Sequence, residues 1–340
     1  MVPIIRYLLQ FQCQIFVAAT GGQKKLLETE FPHLNFLTPP EYDVKYKSNS
    51  KGLTFGLFRQ IPRLIRVIRN EKAWVEQIVD RYKIDAIISD NRYGFRSNTV
   101  PSIIITHQVS PKSGISGLID NIVKNVHLRV LQRFTACWIP DAEGSVLSGK
   151  LSCNGQLPTG FHFIGPLSRF AGVQTQFTVK SKFLIVLSGP EPNRTLWENQ
   201  LLKQLVHYHK PYTIVRGLPG ELISFPNSVN HLPAEKLQKE ILEAEAVVCR
   251  AGYTSIMDLL ALRKTALLVP TPGQTEQEYL AHYLSSQNMF LTMDEEKFSL
   301  VDALHKMESF TPHQPHLDYF RFRIYIDELI SRVNAKQIER

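Results

Sequence analysis

The chain lacks any long apolar run: stretches such as residues 103–105 and 266–269 fall far short of the roughly 20 residues that span a bilayer. Cysteine is scarce. Cys13, Cys137, Cys153 and Cys249 are widely scattered, which excludes both a zinc-ligand spacing and a disulfide scaffold, and a reducing cytoplasm is the expected compartment. The opening residues carry no pattern of a secretory leader. No Asp-any-Asp pair occurs, so neither a catalytic metal nor another cofactor is expected. There is no interleaved stripe of aromatic and basic residues and no nucleic-acid module, so nucleic acid is not an expected partner.

What is present fits a soluble globular protein with room for two domains: 340 residues, 44% hydrophobic and 21% charged. The balance is basic, with a formal net charge of +8, which points to a phosphorylated ligand or an anionic surface as partner. Arg59, Arg63, Arg66 and Arg69 recur at helical spacing among Ile61, Leu64, Ile65, Val67 and Ile68. That spacing predicts a basic amphipathic helix, which could touch an anionic membrane or simply present a solvated face.

Short β-branched runs alternate with helical patterns along the whole length, the signature of doubly wound parallel sheets. Strands are expected at 15–19, 34–37, 86–89, 102–106, 136–139 and 162–164 in the first half, and at 183–187, 212–215, 247–249 and 266–269 in the second. Gly165, Pro166, Leu167, Ser168 and Arg169 read as the connection, giving domains at 1–166 and 167–340, the latter ending in a helix-rich tail. Met1 to Gln10 already reads as a helix, with Pro3 at an early helical position.

The richest segment is 241–282. Its apolar run 246–249 turns at once into Arg250, Ala251 and Gly252, and Thr254 or Ser255 can cap the helix that follows. Gly252 lets a ligand approach the backbone. The free amides of Tyr253, Thr254 and Ser255 favour a phosphate, to which Arg250 would add a full charge. Asp258 lies one helical turn beyond Thr254, where a carboxylate can accept bonds from two ribose hydroxyls. A second junction follows at Pro270, Pro272 and Gly273, before Gln274, Glu276, Gln277 and Glu278 open another helix. Such side chains suit sugar hydroxyls.

The run Arg250-Ala251-Gly252 with Asp258 beyond it, and the pair Gln277-Glu278, resemble the C-terminal domain of the family 28 glycosyltransferases, the group of MurG-type N-acetylglucosaminyltransferases. That resemblance implies a GT-B fold, an α/β architecture of two doubly wound Rossmann-like domains facing a cleft. It implies an inverting, metal-independent transfer of a hexosyl group from a nucleoside diphosphate sugar, uridine-linked, to a cell-envelope or lipid-linked acceptor. It also implies a place in the cytoplasm, with peripheral contact at the inner face of the membrane.

Residue by residue, the resemblance places Gln277 and Glu278 at the donor sugar, and Glu278 departs from the family's second glutamine. Ser188 and Gly189 stand where the family has its phosphate loop, although Pro190 and Pro192 remove amide donors there. Arg169 matches an arginine near the diphosphate, and Leu232 a backbone contact to the base. Thr106, His107 and Gln108 resemble a cleft-facing segment, which makes His107 the leading general base and Asp90 the runner-up or an orienting group. Family members open with a strand and a Gly-His loop that are absent ahead of residues 1–10, so weak or no activity is expected of this chain as it stands. Two other readings remain open: a non-catalytic nucleotide-sugar-binding or partner subunit, and a nucleotide-sugar epimerase of similar fold.

Overall fold

The computed structural model describes residues 1–40, 53–111, 117–153, 155–172, 178–180, 182–220 and 225–338. The elements run α1 (Val2–Leu9), β1 (Phe16–Ala18), α2 (Gly21–Glu30), β2 (Asn35–Leu37), α3 (Leu53–Tyr82), β3 (Ile87–Asp90), β4 (Ser102–Ile105), α4 (Gly117–Leu131), β5 (Ala136–Ile139) and β6 (Phe161–Phe163). The second half continues with β7 (Phe183–Val186), α5 (Asn193–Leu205), β8 (Tyr212–Val215), β9 (Ser228–Val229), α6 (Ala234–Glu243), β10 (Ala246–Cys249), α7 (Tyr253–Ala261), β11 (Ala266–Leu268), α8 (Thr275–Ser286), β12 (Leu291–Thr292), α9 (Leu300–Glu308) and α10 (Phe322–Ile338). Every expected strand is present to within a residue or two. The two-residue strands β9 and β12 are additions, too short to carry a periodic signal.

Two compact units form, the first from 1–24, 34–167 and 317–340, the second from 25–33 and 168–316. The change of unit between Leu167 and Ser168 lies one residue from the expected boundary at 166/167, but the tail differs from expectation. Residues 317–340 belong to the first unit, not the second, because α10 buries Phe322, Ile326 and Leu329 there. Tyr7 of α1 donates to Asp327 Oδ1 at 2.9 Å and packs edge-on to Phe322, while Tyr325 lies against Trp138 and His162. Gly165 has φ +77°, and a Cβ there would run into the Asp318 carbonyl, so glycine is what lets the tail lie close.

In the second unit all strands are parallel in the order β12-β11-β10-β7-β8-β9. From β7 the chain winds outward through β8 and β9, then returns to place β10 on the other flank of β7. The switch of winding therefore lies between β7 and β10, where such sheets bind ligands beyond their carboxyl ends. Phe183, Ile185, Ile214, Val248 and Leu267 build the core on one face with Trp197 and Leu201 of α5.

The first unit holds two parallel ladders: β1 with β2, and β3-β4-β5-β6. Ala18 of β1 and Ile87 of β3 pack on one apolar cluster with Val75, Val79 and Phe95, although those two strands are not hydrogen-bonded to each other. Helix α1 forms where expected, with Pro3 in its first turn. Along α3, Arg63, Arg66 and Arg69 are exposed with Ile65; the side chains of Arg59 and Ile61 lie outside the described residues. Among the described residues no helix is long and apolar enough to cross a membrane.

Candidate functional site

Two loops leave the sheet at the switch of the second unit, one after β7 and one after β10. Cys249 is fully enclosed by the sheet, and burial pushes its thiol up to about 12, so it is an inert part of the core. After it the backbone turns extended at Gly252 (ψ 136°), which is the N-cap of α7. The expected side-chain cap by Thr254 or Ser255 is not made, because both already lie inside the helix and Gly252 holds the cap position. A Cβ on Gly252 would meet only Ser255 Oγ, at 3.9 Å, so room for a ligand remains over the helix start. Tyr253 is buried, Thr254 exposed and Ser255 half-buried there.

Arg250 does not face that space. It is 1% exposed, lies over the Trp197 ring, donates through Nη1 to the Val269 and Pro270 carbonyls at 3.3 Å, and pairs with Glu295 Oε2 at 2.6 Å. The expected phosphate cation is instead an internal tie between the ends of β10, β11 and the segment after β12. A strand-end arginine can reach neighbouring carbonyls as readily as a ligand, and only the three-dimensional arrangement decides which.

Asp258 is likewise engaged. It is 4% exposed and accepts from Ser168 Oγ at 2.8 Å and Arg169 Nε at 3.0 Å. Burial raises the pKa of its carboxyl, opposed by the Arg169 charge and by hydrogen bonds from Ser168, the Arg169 side chain and the Arg169 backbone. The expected contact with two ribose hydroxyls would have to displace these partners. Arg169 is one-third exposed, rests over Phe170, and is close enough to His231 to help burial lower that imidazole's basicity. Leu232, the expected base contact, follows His231 in the β9–α6 loop and is half-buried.

At the second junction Gln277 Oε1 accepts from the Thr271 amide at 3.0 Å, and Glu278 Oε1 from the Gly273 amide at 2.8 Å. Both side chains thus turn back to brace the β11–α8 loop. At the β7 loop, Ser188 and Gly189 are exposed and Gly189 has φ +110°. The start of α5 beyond them is occupied by the chain's own acid: Glu191 accepts from the Thr195 amide at 3.2 Å and from Arg194 Nε at 2.6 Å. Behind it Glu198, 3% exposed, accepts from Arg194 at 3.1 Å and from Arg216 at 2.6 Å. Burial raises the Glu198 carboxyl, but hydrogen bonds and charge from Arg216 and Arg194 outweigh it and leave the group below its usual range.

In the first unit Asp90 and His107 reach the same sheet end. Asp90 closes β3 in register with Ile105 of β4, and His107 stands two residues after Ile105. Asp90 is exposed and His107 is 8% exposed. The loops that carry them are braced by residues the sequence reading missed. Glu71, fully buried, accepts from Arg92 Nε at 2.9 Å and from the Gly94 amide at 3.2 Å. His127 Nδ1 donates to the Val109 carbonyl at 3.3 Å, which leaves Nε2 to accept from the Tyr93 hydroxyl at 3.0 Å; burial lowers its basicity and keeps it in that neutral form. Both braces span 18 or more residues, and no local sequence signal could have revealed them.

Residues 229–316 match the model of the Glycosyltransferase family 28 C-terminal domain. A curated relative, the UDP-N-acetylglucosamine--N-acetylmuramyl-(pentapeptide) pyrophosphoryl-undecaprenol N-acetylglucosamine transferase of Pasteurella multocida (strain Pm70), is 26% identical over 226 residues, 62% of this chain. The chain spans 58% of that relative's length. Among solved structures, the glycotransferase of kitacinnamycin is similar at a TM-score of 0.63 with 14% identity, over 98% of this chain and 94% of that one. The glycosyltransferase SnogD from Streptomyces nogalater gives 0.58, 14%, 99% and 91%, and the MurG of Acinetobacter baumannii gives 0.50, 14%, 97% and 95%. These similarities define the fold, which is GT-B. Within that fold, residues 229–316 are the part similar to the family 28 C-terminal domain.

Proposed function

We propose that this chain works as a glycosyltransferase, moving a hexosyl group from a nucleoside diphosphate sugar, uridine-linked, to a cell-envelope or lipid-linked acceptor at the inner face of the membrane. The observation that carries this reading is the position of the segment similar to the family 28 domain: residues 229–316 supply the loops after β9, β10 and β11, of which the β10 loop lies at the switch of the parallel sheet. The start of α7 at Gly252, Tyr253, Thr254 and Ser255 would receive the diphosphate with Arg169 beside it, Leu232 would meet the base, and Gln277 and Glu278 the sugar. Ser188 and Gly189 would flank the phosphates once Glu191 gives way.

In that reaction the acceptor oxygen attacks the anomeric carbon, the bond to the diphosphate breaks, and the configuration inverts. His107 would take the acceptor proton, with Asp90 orienting it, while helix amides and Arg169 take up the charge of the departing diphosphate without a metal ion. The exposed arginines of α3 would meet anionic lipid near the acceptor.

Glu191 on the start of α5 favours a second reading, a subunit that binds sugar nucleotide without turning it over. Calorimetric titration with UDP, dTDP and their sugars, followed by transfer to a lipid-linked acceptor, separates the two. Binding with turnover supports the transferase, binding with none supports the subunit, and no binding of any nucleoside diphosphate removes both.

A further inference from the structure

We infer that His127 is a positioning residue for His107: while its ring is neutral it ties the loop after β4 to the loop after β3, and a proton taken up at Nε2 undoes the tie. The inference rests on the reading of His107 as the base on the acceptor side, and it adds a way in which acid regulates that side of the site.

The two ring nitrogens serve different loops. Nδ1 lies 3.3 Å from the Val109 carbonyl, Nε2 lies 3.0 Å from the Tyr93 hydroxyl, and the Tyr93 ring stands edge-on to the imidazole at 5.4 Å. A carbonyl only accepts, so Nδ1 carries a hydrogen, and in the neutral ring Nε2 keeps the lone pair to which the hydroxyl donates. Val109 follows His107 by two residues and is buried; Tyr93 follows Asp90 by three.

Tyr93 is the fixed post of this arrangement. Glu71 holds both of its neighbours, Arg92 through Nε at 2.9 Å and Gly94 through its amide at 3.2 Å. A Cβ on Gly94 would run into Glu71 and the Ile68 carbonyl, so the backbone there lies hard against α3. The loop after β4 has bonds of its own, from the Gln108 amide to Thr106 Oγ1 at 3.1 Å and from the Ser110 amide to the Leu151 carbonyl at 2.7 Å. Between these, His127 joins the mobile partner to the fixed one.

Protonation acts on the atom that makes the tie. A hydrogen on Nε2 would meet the hydroxyl hydrogen, so Tyr93 must turn and give up its donation. A positive charge would also enter the place where Val109 and Tyr93 pack with Ile104, Leu131 and Phe134. Both costs favour an open loop. Among the described residues, the charged or titratable groups on the elements meeting at the ring are Arg92 and Tyr93 of the β3 loop, His107 of the β4 loop, Asp120 and Lys124 on the same side of α4, and Cys137 of β5. Burial lowers the basicity of the ring by more than the Val109 carbonyl raises it. A group whose basicity is lowered in the closed form favours that form fully above about pH 6.5, and the advantage is given up as pH falls below that value.

The test reads amide exchange and imidazole nitrogen signals of the full chain by NMR, which need no turnover, beside the kinetics of sugar transfer. At about pH 7 the ring should carry its hydrogen on Nδ1 and none on Nε2. Between about pH 7 and pH 5 the protection of the Gln108 and Ser110 amides, corrected for the intrinsic exchange rate, should fall by about fivefold to tenfold. In His127→Asn, which can still donate to Val109, and in His127→Gln, which can still accept from Tyr93, protection should start lower and stay level over that range. Tyr93→Phe should lower it about threefold to tenfold at pH 7, as loss of one hydrogen bond does, and it carries the test if the histidine variants do not fold. The ratio of kcat at pH 5 to kcat at pH 7 should be higher in the Asn and Gln variants than in the unaltered chain, with the UDP dissociation constant the same in all; a purely structural role would lower kcat alike at every pH. Level protection in the unaltered chain, an equal fall in the variants, or a hydrogen on Nε2 at pH 7 would overturn the inference. Absence of sugar transfer alongside the expected protection would instead overturn the reading of His107 as a base, and with it the role given to His127, while the pH-dependent tie itself would stand.

Discussion

The two units bury parallel sheets of similar strand number in different ways. Among the described residues the second carries six strands in one unbroken ladder, with β7 and β10 flanked on both sides, whereas the first divides its six into a pair and a group of four. Ala18 and Ile87 nonetheless share an apolar cluster, and Arg92 beyond β3 donates to the Pro40 carbonyl beyond β2 at 3.2 Å, so side chains join the two ladders of the first unit. Polar groups follow the same contrast. The second unit concentrates buried ion pairs at the ends of its central strands, with Arg194, Glu198, Arg216, Arg250 and Asp258 all committed to partners. The first unit instead braces two exposed strand-end loops through Glu71 and His127. A continuous ladder can hold a charged site rigid. A divided one leaves its loops to be steadied from the helices.

The largest expected effect concerns the division of labour between the units. His107→Ala should lower kcat by about a hundredfold to ten-thousandfold while the dissociation constant for donor stays unchanged, as loss of a general base requires. A change in donor affinity of the same size would place His107 elsewhere in the reaction. Next is Glu198→Ala, which takes the shared carboxylate from Arg194 and Arg216 and should cost about 3–5 kcal/mol in urea unfolding followed by the fluorescence of Trp197. A loss under about 1 kcal/mol would mean the pairs are solvated in practice.

In the first unit Gly165→Ala should cost about 1–3 kcal/mol, since φ +77° suits glycine and the added carbon meets the Asp318 carbonyl. Trp138, which packs on Tyr325 of the tail, reports the loosening. Acid should then separate the units further. The folded Glu198 carboxyl lies below its unfolded value, so its contribution is complete above about pH 4.3 and is lost as pH falls through the depressed folded value. Glu198→Gln should flatten that slope in the second unit and leave the Trp138 signal alone. The smallest effect is in amide exchange: β7 and β10, flanked on both sides, should be better protected than β1, which among the described residues is bonded to β2 alone. Equal protection would show that the shared apolar cluster compensates for the division.

The strands were legible because buried parallel strands are short β-branched runs between turn residues, as at 136–139 and 246–249. A helix soon after β10 was legible for a similar local reason, although its N-cap is Gly252 and not Thr254 or Ser255. The tail was not. Nothing within 317–340 states which unit its apolar side will cover, and Phe322, Ile326 and Leu329 would suit either core by composition. The site residues divide in the same manner. Arg250, Asp258, Gln277 and Glu278 were singled out by type and spacing, but their present partners lie between 3 and 90 residues away.

By itself, the sequence determined the α/β class, the strand positions, the junctions after β10 and β11, and the residue types gathered there, because each depends on periodicity and turn chemistry over a few neighbouring residues. Tertiary structure alone decided that Asp258 holds Arg169, that Arg250 faces inward, that Glu191 sits on α5, and that the tail joins the first unit. A buried charge must find a partner wherever the folded chain supplies one, and which partner lies within 3 Å is a property of the packing rather than of any local stretch.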